Sequence, residues 1–425
     1  MKKIFVISWY YPPVNSSEGL VTWKLLNRSQ YAYDVFTQNS SDAWSYGMNA
    51  KFESRENVRT IFAKSKYYST WKVEAFEYFS AHRNEYDGIM TRSMPQESHE
   101  AGLLIKKAFP DVKWIASFGD PIKVNPYQHL NCTLYSPKSA KNLYNRNRSL
   151  RWKLDPKRMV YAGGWMLKHR DAVQHRAHLA QIEDDTLRLA DRIILNNRSQ
   201  MRWMLGDDKA LQAKTHLIRH SFEETLYPDK PGKAHKKMRF VFIGHLDEMR
   251  TPLPLLKAIK SLRDDRKDLA RRAEFLFYGD MADGDLAYLV KNRLLDVVKF
   301  CEPVPYLESL AIMRDADWVV HVDADISSVS DENVFFAAKI ADYFGSGSNL
   351  LAVTMPRGDV ADVLRAAGAE VLNFSANEIR QALYLIIYEG RTAKPDPKVI
   401  EEFSARCAAE RFDREVVATL YDDEH

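Results

Sequence analysis

Arg239-Phe-Val-Phe-Ile-Gly-His245-Leu-Asp-Glu-Met-Arg250 is a continuous apolar run that breaks at Gly244 into a polar loop and closes on an arginine. A short β-rich run bounded by glycine is the signature of a strand buried on both faces, as in a parallel sheet. The chain opens in the same way, with Lys3-Ile-Phe-Val-Ile7 followed by Tyr10-Tyr-Pro-Pro13 and Gly19. A pattern that starts at the amino terminus and restarts in mid-chain predicts two Rossmann-like α/β lobes facing a cleft.

Working outward, strand-like runs at Lys3–Ser8, Tyr33–Thr37, Val58–Ala63, Asp87–Thr91, Lys113–Ser117, Asp191–Asn196 and Thr215–Arg219 alternate with helical spacing over Leu20–Arg28, Thr70–Asn84 and Gln96–Ala108. The second half repeats the alternation, with strands expected at Arg239–Ile243, Glu274–Tyr278, Val297–Cys301, Asp317–Val322, Leu350–Thr354 and Glu370–Leu372. Between the halves, Asp229-Lys-Pro-Gly-Lys-Ala-His-Lys-Lys237 has the composition of a linker. The expected organisation is a first domain over 1–228, interrupted by a polar, basic insertion at about 119–170. A second domain follows over 238–397, and a helical tail over 398–425 crosses back to the first.

A chain of 425 residues with 45% hydrophobic content can bury two cores. The first residues run straight into a strand, without the succession of a secretory signal, and no apolar run reaches membrane-spanning length, so a soluble cytoplasmic protein is expected. Cys132, Cys301 and Cys407 are odd in number and far apart, which suggests neither a disulfide framework nor a metal cluster. The formal charge of +4 is too small to imply nucleic acid as a partner. Lys138 to Arg158 nevertheless concentrates basic residues around Leu143, Tyr144, Leu150 and Trp152. Such a segment suits either peripheral contact with an anionic membrane or a solvated cover over the cleft.

Four pieces of sequence, taken in order, resemble the retaining family-four glycosyltransferases of the GT-B fold, the type that builds bacterial surface polysaccharides. They are Tyr10-Tyr-Pro-Pro13 after the first strand, Gly244-His-Leu-Asp-Glu-Met-Arg250, Ala338-Lys-Ile-Ala-Asp342-Tyr-Phe-Gly-Ser-Gly347, and Pro356-Arg-Gly-Asp359. The resemblance implies a nucleoside-diphosphate sugar as donor substrate, a saccharide acceptor that is lipid-linked or part of a surface polysaccharide, and no metal or other cofactor. In that family an arginine after the glycine and a lysine five residues further on contact the donor diphosphate; His245 and Arg250 stand at those positions. A guanidinium keeps the charge and suits phosphate oxygens. The family's pair of glutamates is not intact, since Val334 stands at the first position and Asp342 at the second, where the ribose is held. Lys339 is then a further phosphate contact, and Glu332 a stand-in for the missing carboxylate if the loop is reshaped.

Other candidates rest on chemistry alone. Gly19, expected just before a helix, and Ser16 and Ser17 beside it suit a phosphate at a helix start, although turns require glycine as well. Asp120, in Phe118-Gly-Asp-Pro121, lies at the carboxyl end of a strand, where the ligands of such sheets bind, and suits a catalytic or sugar-orienting role with Arg250 and Lys339. Arg92, Ser93 and His99 are weaker acceptor-side candidates. Asp323-Ala-Asp325 matches a metal-binding string, but no metal is expected there. Neither lobe opens with the closely spaced glycines of a dinucleotide fingerprint, which counts against a dehydrogenase. The departures at His245, Val334 and Asp342 keep open a catalytically inactive nucleotide-binding scaffold, and a sugar-nucleotide epimerase shares the two-lobed build.

Overall fold

A computed structural model of the protein describes residues 1–14, 16–39, 52, 55–123, 125–126, 175–229, 235–247 and 249–422. Two parallel sheets form the architecture. The first contains β1 (Lys3–Ile7), β2 (Ala32–Thr37), β3 (Val58–Phe62), β4 (Gly88–Ser93), β5 (Lys113–Phe118), β6 (Arg192–Leu195) and β7 (Thr215–Leu217). Its spatial order is β3-β2-β1-β4-β5-β6-β7. The second contains β8 (Met238–Ile243), β9 (Ala273–Tyr278), β10 (Val298–Cys301), β11 (Trp318–Val322), β12 (Asn349–Val353) and β13 (Glu370–Leu372), in the order β10-β9-β8-β11-β12-β13. This is the expected α/β GT-B fold of two doubly wound sheets.

Burial explains the strands. Ile4, Phe5, Val6 and Ile7 are all fully buried, as a strand covered by helices on both faces requires. On one face Phe5 and Ile7 meet Trp71 and Trp114; on the other Ile4 and Val6 meet Trp23 and Phe412. Helix α1 (Ser17–Leu26) follows β1, α2 (Tyr68–Ala81) follows β3 and α3 (Glu97–Ala108) follows β4. In each sheet the strand order reverses beside the opening strand, between β1 and β4 and between β8 and β11. The loops leaving the carboxyl ends of the strands at such a reversal form a ligand crevice.

The chain's last helices return to the first domain. Ala408, Ala409, Phe412, Val416, Val417 and Leu420 are buried in the same cluster as Ile4, Val6 and Ile115. Asp413 accepts from the Gln30 N–H at 2.8 Å, and Arg192 Nη2 donates to the Thr419 carbonyl at 2.6 Å. On its way the chain pairs with the interdomain strap, the Phe222 N–H donating to Phe403 O at 2.9 Å and the Ala405 N–H to Phe222 O at 2.7 Å. The basic stretch Lys138–Arg158, the core of the expected insertion, and Cys132 lie outside the described residues. No helix among the described residues is long and apolar enough to cross a membrane.

If the returning segment completes the first core, Phe412→Ala should cost about 3–5 kcal/mol. Urea unfolding should then show a lower midpoint for the transition reported by first-domain tryptophans. An unchanged midpoint would mean the segment contributes nothing to that core.

Candidate active site

The cleft begins where β8 ends. Gly279, after β9, has φ 122°, and a Cβ there would fall 2.0 Å from the Gly244 carbonyl oxygen, so only glycine lets the two loops touch. The Gly244 N–H donates to Tyr278 O at 2.9 Å, which locks that contact. At Gly244 the missing Cβ leaves room for Lys339, whose Nζ lies 3.2 Å from where it would stand.

Cations converge beside Gly244. Lys339 lies in the first turn of helix Ala338–Ser346, whose N-cap, Ala337, supplies no side-chain hydrogen bond. The uncapped start of a helix presents amide hydrogens and a positive dipole end. Asp247 Oδ1 accepts from the N–H groups of Met249 at 2.9 Å and Arg250 at 2.8 Å, a turn that carries Arg250 back towards the cleft. Burial lowers the Lys339 pKa, and the nearby positive charge of Arg250 lowers it further. Two repelling cations beside a capless helix start create a strong local demand for an anion. His245 is exposed beside them, with Nδ1 3.3 Å from Asp280 Oδ2.

Two adjoining cavities share Ser17, Gly244, His245 and Lys339. The first, of about 230 Å³, runs past Tyr278, Pro303 and Tyr306 to Lys24 and Asp342. Lys24 Nζ, from α1 in the first domain, lies 2.6 Å from Asp342 Oδ1 in the second, and both side chains are buried. Tyr306 donates to the same oxygen at 3.0 Å, and Tyr227 donates to the Asp342 carbonyl at 2.8 Å. Burial, reinforced by the Asp342 charge, raises the Tyr306 pKa well above its ordinary value and keeps it a donor.

The second cavity, of about 190 Å³, brings Asp120 together with Glu18, His220, Arg250 and Lys339. Burial raises the Asp120 carboxyl from its ordinary 3.8 to about 7; Glu18 adds to the rise, while Arg92 and Arg250 oppose it. Glu18 is held by Arg92, with Nε–Oε2 at 2.9 Å, and Arg92 also donates to Ser117 Oγ at 2.9 Å. His220 is neutral, its pKa pushed far down by burial and by Arg92 and Lys24. A near-neutral acid, a fixed carboxylate and a neutral imidazole thus face two cations across one small space.

Arg250, Lys339, Gly244, His245, Asp342 and Asp120 are therefore brought to one cleft, while other candidates are not. Gly19 lies inside the first turn of α1 rather than before it. A Cβ there would stand 3.0 Å from the Tyr11 nitrogen, so close packing accounts for the glycine, and Ser17 and Glu18 line the cavity instead. Glu332 lines neither cavity: its carboxylate pairs with Arg202 and accepts from Ser199 Oγ at 2.7 Å, and Arg202 holds its pKa down. Val334, at the first glutamate position of the resembled family, is buried in a small cluster with Ile326, Phe335 and Met355. His99 is buried against Phe118, with Nδ1 2.7 Å from the Thr91 hydroxyl, and Ser93 is buried too. Arg92 lines neither cavity, but it holds Glu18 and its charge acts on Asp120 and His220. Asp323 is spent on Thr354 Oγ1, at 2.6 Å, and on His321, at 2.9 Å. No group of three or more His, Cys, Asp or Glu among the described residues is arranged to hold a metal ion. Sequence reading missed Lys24, Glu18, Tyr306 and His220. The one available signal was that His220 follows β7 at the same carboxyl-terminal edge as Asp120.

No family model and no curated protein matches the sequence. Solved structures do match the fold across the whole chain. Sucrose-phosphate synthase from Thermosynechococcus elongatus is 15% identical, with all of both chains covered and a TM-score of 0.64. The UDP-forming α,α-trehalose-phosphate synthase of Burkholderia xenovorans, in complex with glucose-6-phosphate, is 11% identical, covering 98% of this chain and 99% of that one at a TM-score of 0.62. A putative UDP-N-acetylglucosamine 2-epimerase from Listeria monocytogenes is 12% identical, covering 99% and 97% at 0.54. The shared fold is GT-B.

Two outcomes follow from the site. Lys24→Met should destabilise the protein by about 3–5 kcal/mol, because it leaves a buried carboxylate unpaired, and Lys24→Met/Asp342→Leu should recover most of the loss. Chemical denaturation of the two variants checks this, and a harmless Lys24→Met would show that the pair is solvated. For Asp120 the folded-state pKa is raised, so the folded form binds the extra proton. Stability should fall as pH rises from about 4 to about 7, then level off. Asp120→Asn should flatten that segment of the melting-temperature profile.

Proposed function

We propose that this protein is a glycosyltransferase that moves a sugar from a nucleoside-diphosphate sugar to a saccharide hydroxyl. The observation that supports it most is the meeting of Arg250, Lys339 and an uncapped helix start beside Gly244, between two parallel-sheet domains. A diphosphate is the anion that fills such a place, because it can meet both cations and the free amides at once. Asp342, on the same helix as Lys339, accepts from ribose hydroxyls in exchange for its present donors. The cavity past Tyr278 and Pro303 takes the base.

The reaction breaks the bond between the anomeric carbon and the diphosphate oxygen and forms one from that carbon to the acceptor oxygen. The acceptor's proton goes to the departing diphosphate, whose growing charge Arg250 and Lys339 neutralise. Asp120, poised near neutrality, orients a sugar hydroxyl beside them. Retention of configuration, kinship with family four, and a lipid-linked or surface-polysaccharide acceptor met at the inner membrane face are carried over from the sequence resemblance. Two of the similar structures, the sucrose-phosphate synthase and the α,α-trehalose-phosphate synthase, are named for sugar-phosphate products, and the second is described as UDP-forming. An epimerase is the second reading, because the same fold carries a putative sugar-nucleotide epimerase.

Incubation with a panel of nucleoside-diphosphate sugars and saccharide acceptors, followed by nuclear magnetic resonance, should show a glycoside and a free nucleoside diphosphate. Arg250→Ala should slow that release by roughly 100-fold or more, as loss of one charge-stabilising donor does. A chelator should leave the rate unchanged. A new sugar nucleotide formed without acceptor would make the protein an epimerase. Nucleotide bound but never consumed would make it a scaffold.

A further inference from the structure

A third opening, a groove of about 970 Å³ in the first domain, adjoins the two cavities and shares Ser17 and His245 with them. The loop after β1 gives it Trp9 and Tyr10, and the turn into α2 gives it Tyr67 and Tyr68. Tyr67 is 75% exposed and Tyr68 37%. The rings form a connected wall: the Trp9 and Tyr68 centroids are 4.4 Å apart, and the Tyr10 and Tyr68 hydroxyls 3.2 Å apart. Tyr68 packs on Trp9 at the edge of the core while Tyr67 stands in solvent beside it, and an exposed aromatic face of this kind suits ligand binding.

The polar groups of the groove complete its character. Glu97, at the start of α3, has an Oε2 that is buried without a hydrogen-bond partner among the described residues beyond its own backbone, and Oε1 meets the Gln96 amide at 3.4 Å. Burial raises the Glu97 pKa. An orphaned buried carboxylate oxygen is costly unless a donor arrives from outside. The amide of Gln38, itself 5% exposed, lines the same groove and can both donate and accept. Among the described residues the remaining formal charge is Lys66 on the rim, with His245 at the junction.

We propose that this groove binds the acceptor as an uncharged saccharide, a pyranose face lying on Tyr67 and Tyr68 with ring hydroxyls donating to Glu97 and bonding to Gln38. The proposal rests on the transferase reading and narrows its acceptor class. A sugar presents both an apolar C–H face and a ring of hydroxyl donors, which is the complement of an aromatic wall beside an unpaired carboxylate. A phosphorylated or carboxylated sugar is disfavoured, because Glu97 repels it and one rim lysine offers no bidentate anion cradle. The path past Ser17 and His245 then delivers a free hydroxyl to the cleft.

Saturation-transfer nuclear magnetic resonance with maltotriose, cellotriose, chitotriose and glucose 6-phosphate tests this on the full-length protein, in parallel with calorimetric titration of nucleoside diphosphates. At least one neutral trisaccharide should show transfer to its ring protons, and Tyr67→Ala should weaken its binding roughly fivefold or more. Tyr67 is exposed enough that this variant keeps its fold, and Glu97→Gln should weaken the same ligand. Nucleotide affinity should stay within about twofold in both variants. Preference for glucose 6-phosphate, no transfer to any neutral saccharide, or binding indifferent to both substitutions overturns the proposal. If the wild type binds a saccharide but no nucleotide, the donor reading fails while the groove stands.

Discussion

The buried ion pair between Lys24 and Asp342 is the constraint on which the arrangement of the two domains depends. The partners are 318 positions apart in sequence, and their side chains are only 3% and 7% exposed. Two charges removed from water at such a place repay their desolvation only if other groups complete the geometry. Tyr306 does so on the carboxylate, and Tyr227 fixes the backbone behind it. Further pairs extend the seam away from the cleft. Arg219 meets Asp359 through two hydrogen bonds, at 2.7 and 3.0 Å, and Arg28 meets Glu223 on the strap between the domains. Asp342 lines the first cavity while it holds Lys24, so a ligand that takes over that carboxylate there competes with a contact between the two domains.

The chemistry of the cleft follows from the folding of the strands. Parallel strands with buried faces send all their carboxyl ends to one edge, and the reversal of strand order opens a crevice there in each sheet. Facing the two edges towards each other brings together Asp120 after β5, Gly244 after β8 and Gly279 after β9. The helices that follow start at the same edge, which is why Ser17 and Lys339 meet although they belong to different domains. Backbone amides, two cations and a near-neutral acid are thus collected without any one segment carrying a recognisable catalytic string.

That division explains how much the sequence could tell. Strand positions were legible because each strand carries its own pattern. Arg239–Ile243 was expected and Met238–Ile243 found, and Glu370–Leu372 was found unchanged. Arg250, Lys339, Asp342 and Asp120 were legible because each sits at a fixed place after a strand or at a helix start. Lys24 and Glu18 were not, since on α1 they read as ordinary helix charges until the other domain or Arg92 is placed against them. Glu332 and His99 failed in the opposite direction. Proximity in sequence to the site suggested a role, but local packing turned one towards Arg202 and the other into the core. Gly19 failed by three residues, because α1 starts at Ser17 and the glycine serves the contact with Tyr11.

The most direct measurement is calorimetric titration of the purified protein with UDP, GDP, ADP, CDP and TDP, repeated on Lys339→Met. One nucleoside diphosphate should bind at a single site, raise the melting temperature by mass action, and bind at least roughly tenfold more weakly to the variant. If no nucleoside diphosphate binds, or if one binds equally well without the lysine, the cleft is not a diphosphate site.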